Sequence, residues 1–448
     1  MNGITIYEFD ALASEQSDGA SSVDLPCVPT EVFEWLEAQC LRTSAAGDAV
    51  WLKLTQRRGR RAVQVTSYVG VIRAPNGYQI EVLPKVGKAI GGGAAEARRL
   101  LIDMLCCLQG FRHIQTDRAR LTAARTPLLE VFINEFLRAV EHVVKRGLRG
   151  DYTSRQDNLH ALRGKLLIAP QLRHNLVRAD RFFTEHDEFS TNRPENRLIR
   201  AALRSTLAIA RSHDNQRLAR ELAFAFADIP PSCAPRIDFQ RVRRDRGMDY
   251  YGDALAWARL ILEDESPLTG PKSHTAPSLL FPMEAVFEAF VAKHLARQLP
   301  RSLTLKTQAR RHHLVRHQGQ SWFQLKPDLL IRHGERDLVV LDTKWKLLDG
   351  SKANGTDKYG LSQADFYQLQ AYGQGYLDGQ GEVVLIYPKT DTFQQALPVF
   401  EFPKIEGLRL WVLPFCLTSR ALIASETTCL AGRHLSETSA GTLLERPR

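Results

Sequence analysis

Apolar and polar positions vary in short runs near the start of the chain. Residues 4–9, 50–54, 62–65, 68–72 and 78–82 read as strands. The basic run 57–61 and Pro75-Asn76-Gly77 separate them as turns, which predicts two hairpins. A helix is predicted from Pro29 to about Gln39, with Thr30 as N-cap. Helical periodicity then covers 94–110, 127–146, 194–227 and 251–262, interrupted by Pro230, Pro231 and Pro235. Residues 266–278, SPLTGPKSHTAPS, read as a linker. After it comes a helix over 282–299, whose stripe is Val286, Phe287, Phe290, Val291 and Leu295. A polar strand-like run over 302–315, a helix over 361–377 and buried strands over 382–388 and 408–415 follow. Residues 424–448 carry no clear pattern.

The most informative stretch is 324–346, QLKPDLLIRHGERDLVVLDTKWK. Two apolar runs, 329–331 and 338–341, flank a polar turn, so a hairpin with buried strands is expected. Asp328 opens the first strand and Asp342 closes the return strand. In an antiparallel pair these positions lie side by side. Residues 342 and 344 share a face through the two-residue alternation, so Lys344 joins Asp342. Two carboxylates and an amine gathered at one sheet end suit metal-assisted phosphodiester hydrolysis: hard Mg²⁺ takes oxygen ligands, and an ammonium can offset charge on the phosphate. On the helix before them, Glu284 and Glu288 stand one turn apart beside the apolar stripe, where a carboxylate can reach the sheet edge.

Length, charge and cysteine usage narrow the setting. A chain of 448 residues predicts two or three domains. The expected division is a β-rich region over 1–115, a mainly helical region over 116–265, the linker 266–278, an α/β domain over 279–418 and a weakly structured tail over 419–448. A net charge of +10 favours a polyanionic partner, nucleic acid first. The 7 cysteines form no C-x-x-C pair, which argues against a disulfide framework or zinc site. No secretory signal or transmembrane run is apparent, so the cytoplasm is the expected location. The 87–93 segment, GKAIGGG, lacks phosphate-loop spacing, and no nucleotide is expected on this chain. His186, Asp187 and Glu188 read as ordinary acids ahead of a helix, since three consecutive residues do not face one ion.

The order helix with Glu288, strand, strand with Asp328, strand with Asp342-x-Lys344, helix with Gln368 and Tyr372, strand resembles the αβββαβ core of the PD-(D/E)xK nucleases. The expected fold class is therefore an α+β amino-terminal region followed by an α/β PD-(D/E)xK restriction-endonuclease-like domain. More specific wording resembles the McrC family, the nuclease subunits of McrBC modification-dependent restriction systems. It comprises MEAVFEAFV at 283–291, KPD at 326–328, DTKWK at 342–346, QADFYQLQAY at 363–372 and IYP at 386–388. Upstream it adds YVGVI at 68–72, EVLPK at 81–85, LRGDY at 148–152, LRGK at 162–165 and DEFS at 187–190.

This resemblance implies Mg²⁺ held by Asp328, Asp342 and the backbone carbonyl of Thr343, with Lys344 as the catalytic lysine and Glu288 as a third acidic position. Gln368 and Tyr372 would brace the lysine or touch DNA. It implies a hexameric McrB-like AAA+ GTPase as partner, docked on the β-rich region and stimulated by this chain, and methylated double-stranded DNA as substrate. Arg57, Arg58, Arg60, Arg61, Arg310 and Arg311 are candidate contacts to DNA or to that partner. Two other expectations stand beside this one: a non-catalytic adaptor that activates a GTPase, and a nuclease acting without a motor.

Overall fold

The computed structural model describes residues 3–15, 25–46, 50–57, 59–88, 93–108, 126–243, 247–263, 279–424 and 428. They group into two compact units, one formed by Met1–Arg125 together with Leu280–Arg448, the other by Thr126–Leu279.

Seven strands open the first unit: β1 (Gly3–Tyr7), β2 (Ala11–Ser14), β3 (Cys27–Val28), β4 (Leu52–Arg57), β5 (Arg60–Val65), β6 (Tyr68–Arg73) and β7 (Gln79–Leu83). Both expected hairpins, β4–β5 and β6–β7, are present. Gly77 turns the second with φ 81°, a conformation that favours glycine. β1 runs parallel to β7, a pairing that no local pattern announces. The first helix, Thr30–Ala46, is longer than expected and buries Val32, Phe33, Leu36 and Cys40 against Leu12, Val63, Val65 and Ile80. A second helix spans Gly93–Leu105.

The second unit holds the helices Leu128–Arg146, Pro194–Ile209, His213–Ala225, Pro235–Arg241 and Gly252–Glu263. It also holds a sheet that was not expected: β8 (Asp151–Leu159), β9 (Lys165–Leu166) and β10 (Phe182–Ser190), in the order β8-β10-β9. Most of β8 is exposed and polar, so it lacks the apolar alternation by which a strand is read; its support comes from cross-strand pairing. His186, Asp187 and Glu188 lie on β10 rather than ahead of a helix, and Glu188 pairs with Arg155 on β8 at 2.9 Å. The expected linker 266–278 lies outside the described residues.

The chain re-enters the first unit through β11 (Leu279–Pro282), which extends the β1-β7-β6 sheet and places Leu280 in its core. The amino-terminal strands and the carboxy-terminal α/β part are thus one compact unit, where the sequence divides them into 1–115 and 279–418. The helix Met283–Gln298 leads into β12 (Leu303–Thr307), β13 (His312–His317), β14 (Gln320–Leu325), β15 (Leu329–His333) and β16 (Arg336–Thr343). After the helix Gln363–Leu377 come β17 (Gly381–Pro388), β18 (Phe400–Glu401), β19 (Leu408–Cys416) and β20 (Ala421–Leu422).

The large sheet runs β12-β15-β16-β17-β19-β18, with β20 on β19. Its first two pairings are antiparallel, and β16, β17 and β19 are mutually parallel. Both faces are covered, as continuous apolar strands such as β17 require. On one face Phe287 and Phe290 meet Phe415 edge-on, with centroids 6.4 and 6.0 Å apart. On the other, Leu369, Tyr372 and Tyr376 pack with Leu330, Val340, Val383 and Leu385. The polar run over 302–315 is two strands, not one: β13 leaves the sheet and pairs with β14 as a separate ribbon. No helix among the described residues is long and apolar enough to cross a membrane.

Candidate functional site

The register of β15 against β16 builds the centre of the site. Leu329 faces Leu341, which brings the residue before one strand beside the end of the next. Asp328 Oδ2 accepts hydrogen bonds from Thr343 N at 2.8 Å and Thr343 Oγ1 at 2.7 Å. Asp342 is 1% exposed, and its carboxyl is pushed up to about 6 by burial and by Asp328, against the pull of Lys344. Lys344 Nζ lies 2.8 Å from Asp342 Oδ2. Burial works against the Lys344 ammonium, but Asp342, Asp365 and Asp328 outweigh it and hold its pKa above the ordinary value.

The helix Gln363–Leu377 supplies the groups that aim this lysine. Lys344 Nζ donates to Gln368 Oε1 at 3.0 Å. Gln368 Nε2 donates to Tyr372 Oη at 2.8 Å, and Tyr372 Oη donates to the Lys326 carbonyl at 3.0 Å. Gln368 and Tyr372 stand four residues apart and so share a helix face. The chain of bonds closes a loop from the lysine back to the residue two before Asp328. Sequence reasoning missed Asp365, whose Oδ1 is 3.6 Å from Lys344 Nζ and whose Oδ2 accepts from Tyr387 Oη at 3.2 Å. Its spacing, three residues before Gln368, was the available signal.

Glu288 approaches from the helix Met283–Gln298. Its carboxyl is pushed up to about 7, first by burial and then by Asp328 and Asp342, so the three acids feel one another's charge. Gln308 ties it in: Nε2 donates to Glu288 Oε1 at 2.5 Å and its backbone N donates to the Asp328 carbonyl at 2.8 Å. Gln308 takes φ 52°, a strained conformation that this double role over-determines. Glu284 turns elsewhere and accepts from Ser67 Oγ at 2.6 Å.

The basic candidates do not join this cluster. Arg57, Arg60 and Arg61 lie on the β4–β5 hairpin of a different sheet, where Arg61 pairs with Glu37. Arg58 lies outside the described residues. Arg310 is exposed, and Arg311 forks onto Asp337 at 2.7 and 2.5 Å.

One long-range bracket was invisible in the sequence. Glu8 Oε1 accepts from Trp345 Nε1 at 2.7 Å and Lys85 N at 2.9 Å, while Lys85 Nζ donates to the Trp345 carbonyl at 3.0 Å. The chain leaving Lys344 is thereby pinned to the amino-terminal sheet.

Among the described residues no three His, Cys, Asp or Glu side chains converge closely enough to hold a metal by themselves. The donors present still suit a hard divalent cation that keeps several waters: two carboxylates in mutual repulsion and the Thr343 carbonyl at the same strand end. Asp328 commits Oδ2 to Thr343, while Asp342 Oδ2, buried against Lys344 Nζ, has no hydrogen-bond partner among the described residues. A divalent cation held there would offset the burial and the Asp328 charge that push the Asp342 carboxyl up to about 6.

Comparison with known proteins bears on the whole chain. The family model described as McrBC 5-methylcytosine restriction system component matches residues 63–388, well over half of the sequence. A refined half-complex from a tetradecameric assembly of Thermococcus gammatolerans McrB AAA+ hexamers with bound McrC contains a similar chain. Identity is 21%, TM-score 0.65, and coverage 94% of this chain and 96% of that one. The Thermococcus gammatolerans McrBC complex is also similar, at 22% identity and TM-score 0.50, covering 67% of this chain and 88% of that one. At such identities the likeness is one of fold. No curated protein matches. The narrower resemblance to McrC drawn from the motifs is corrected by these findings. The family description names a component of the system without naming that subunit, and the similar structures are assemblies of McrB AAA+ hexamers as well as McrC. What the match over residues 63–388 establishes is that the chain belongs to the McrBC 5-methylcytosine restriction system component family.

Proposed function

We propose that this protein is a Mg²⁺-dependent endodeoxyribonuclease of the PD-(D/E)xK type within a McrBC-like restriction system. The observation that carries the reading is the gathering of Asp328, Asp342 and Lys344 at one end of a half-parallel sheet, with Glu288 electrostatically coupled to both aspartates. The order helix, strand, strand, strand, helix, strand around these residues, once the β13–β14 ribbon is set aside, supports the same fold class.

In this reading Asp328, Asp342 and the Thr343 carbonyl would hold Mg²⁺, which would supply polarisation of the scissile phosphate and a more acidic water. Lys344, fixed by Asp342, Asp365 and Gln368, offers its ammonium to the attacking water or a non-bridging phosphate oxygen. Glu288, with its carboxyl near neutrality, takes up or releases a proton at working pH. Tyr372 and Gln368 keep the lysine from swinging away.

The family description supports methylated double-stranded DNA as the substrate and a restriction complex as the setting. The similar assembly of McrB AAA+ hexamers with bound McrC supports a hexameric McrB-type AAA+ partner, which this reading takes to be a GTPase. The test assembles the chain with that GTPase and methylated plasmid DNA. Asp342→Ala is expected to abolish cleavage and Lys344→Ala to slow it by about 10²–10³, while partner GTP turnover persists. Cleavage that survives in Asp342→Ala overturns the site, and GTP stimulation without any cleavage by the parent chain returns the adaptor reading.

A further inference from the structure

The β13–β14 ribbon is unused by the chemistry above. From Arg301 to Pro327 the chain holds no acidic residue, while Lys306, Arg310, Arg316 and Lys326 are all exposed. Every residue of β13 beyond His312 is exposed, and so is every residue of β14 before Leu325. A ribbon exposed on both faces gains little from burial, so it needs another reason to be held in place.

It is held firmly at its base. Tyr376 Oη donates to the Leu325 carbonyl at 3.0 Å and accepts from Arg311 N at 3.3 Å, and the His312 ring stands edge-on to Tyr376 with centroids 4.6 Å apart. Lys326 and Pro327 then lead straight into Asp328. Near the outer part, Phe323 is 69% exposed and takes φ 57°, a conformation that is strained for a bulky side chain. Leu314, at 54% exposed, and Trp322, at 45%, accompany it. Strain spent on holding an aromatic ring out in water has no return within the folded chain.

We propose that this ribbon enters a groove of double-stranded DNA, with Arg310, Arg316 and Lys326 on phosphates and Phe323 against the bases, and so presents the phosphodiester to Asp328. The inference rests on the nuclease reading for its substrate class. A two-stranded ribbon has the width that the major groove admits, and the absence of acid along the whole segment matches a polyanion. A protein partner of mixed charge would call for acids among the bases, and between Arg301 and Pro327 there are none.

The experiment measures equilibrium binding of a labelled DNA duplex to the full chain carrying Asp342→Ala, across a salt series. Replacing Arg310 and Arg316 by Gln is expected to weaken binding roughly tenfold and to shrink the log–log salt slope by about 2. Phe323→Gly relaxes the backbone, so it is expected to unfold at the same or a higher temperature while binding DNA several-fold more weakly. A merely structural role predicts the reverse pairing. Unchanged affinity and slope in both variants overturn the proposal, as does loss of GTPase capture with DNA binding intact. Ribbon-dependent binding by a chain that never cuts would leave the ribbon standing and remove the nuclease reading, so the two fail separately.

Discussion

Burial and Asp328 make the Asp342 anion costly, and Lys344 offsets only part of that cost. Relief of that repulsion should appear as stability. Adding Mg²⁺ at pH 8 is expected to raise the unfolding temperature, by the equivalent of about 2.7 kcal/mol at a hundredfold excess over the dissociation constant. Asp342→Asn is expected to erase the shift, and differential scanning fluorimetry with and without the ion reads it. Lys344 and Gln368 should separate by magnitude in single-turnover cleavage. Lys344→Ala removes charge stabilisation outright and is expected to cost about 10²–10³ in rate. Gln368→Ala leaves the ammonium held by Asp342 and Asp365, and a loss nearer tenfold in kcat with little change in KM is expected. At this scale the chain was largely legible. Asp328, Asp342 and Lys344 follow from strand register and side-chain alternation, which are local rules, whereas Gln368 reaches Lys344 through helix-on-sheet packing that only the resemblance implied. Asp365 carries no local sign of its role, because an acid in the first turn of a helix also suits the helix dipole.

At the scale of elements, the hairpin of β15 and β16 is held against the helix Gln363–Leu377 by a mixed apolar and polar seam. Tyr372→Phe keeps the ring packing and deletes the bond to the Lys326 carbonyl. A destabilisation of about 1 kcal/mol is expected in denaturant titration, with cleavage slowed but not lost. The elements read correctly in advance were those with strong periodicity, among them the helix Met283–Gln298 and the strand Gly381–Pro388. Those missed were β8 to β10 and the β13–β14 ribbon. β8 is polar on both faces and the ribbon is exposed on both, so neither shows the alternation that marks a half-buried strand.

At the scale of the molecule, the link between Glu8 and Trp345 joins residues 337 positions apart. Burial pushes the Glu8 carboxyl up to about 7 from 4.5, against the pull of Lys85. A carboxyl raised in this way binds its proton more readily when folded. Its contribution to stability is therefore complete below about pH 4.5 and lost as pH rises to about 7. Glu8→Gln is expected to flatten this part of the profile, reducing the loss between pH 5 and 8 by an amount on the order of 1–3 kcal/mol. Denaturant midpoints of parent and variant at the two pH values check it; equal losses would show that Glu8 stays solvated.

Residue order alone was enough to specify the helices with apolar stripes, the turn at Gly77, and the meeting of Asp328 with Asp342 across a short antiparallel pair. Each depends on neighbours within a few turns or one hairpin, where side-chain period and strand direction leave few alternatives. Packing across hundreds of residues supplied the rest. It paired β1 with β7, returned the chain through β11 to the amino-terminal sheet, and braced Trp345 with Glu8 and Lys85. Such contacts answer to the shape and unmet hydrogen bonds of surfaces that exist only once both partners have folded, and a linear pattern carries no trace of them.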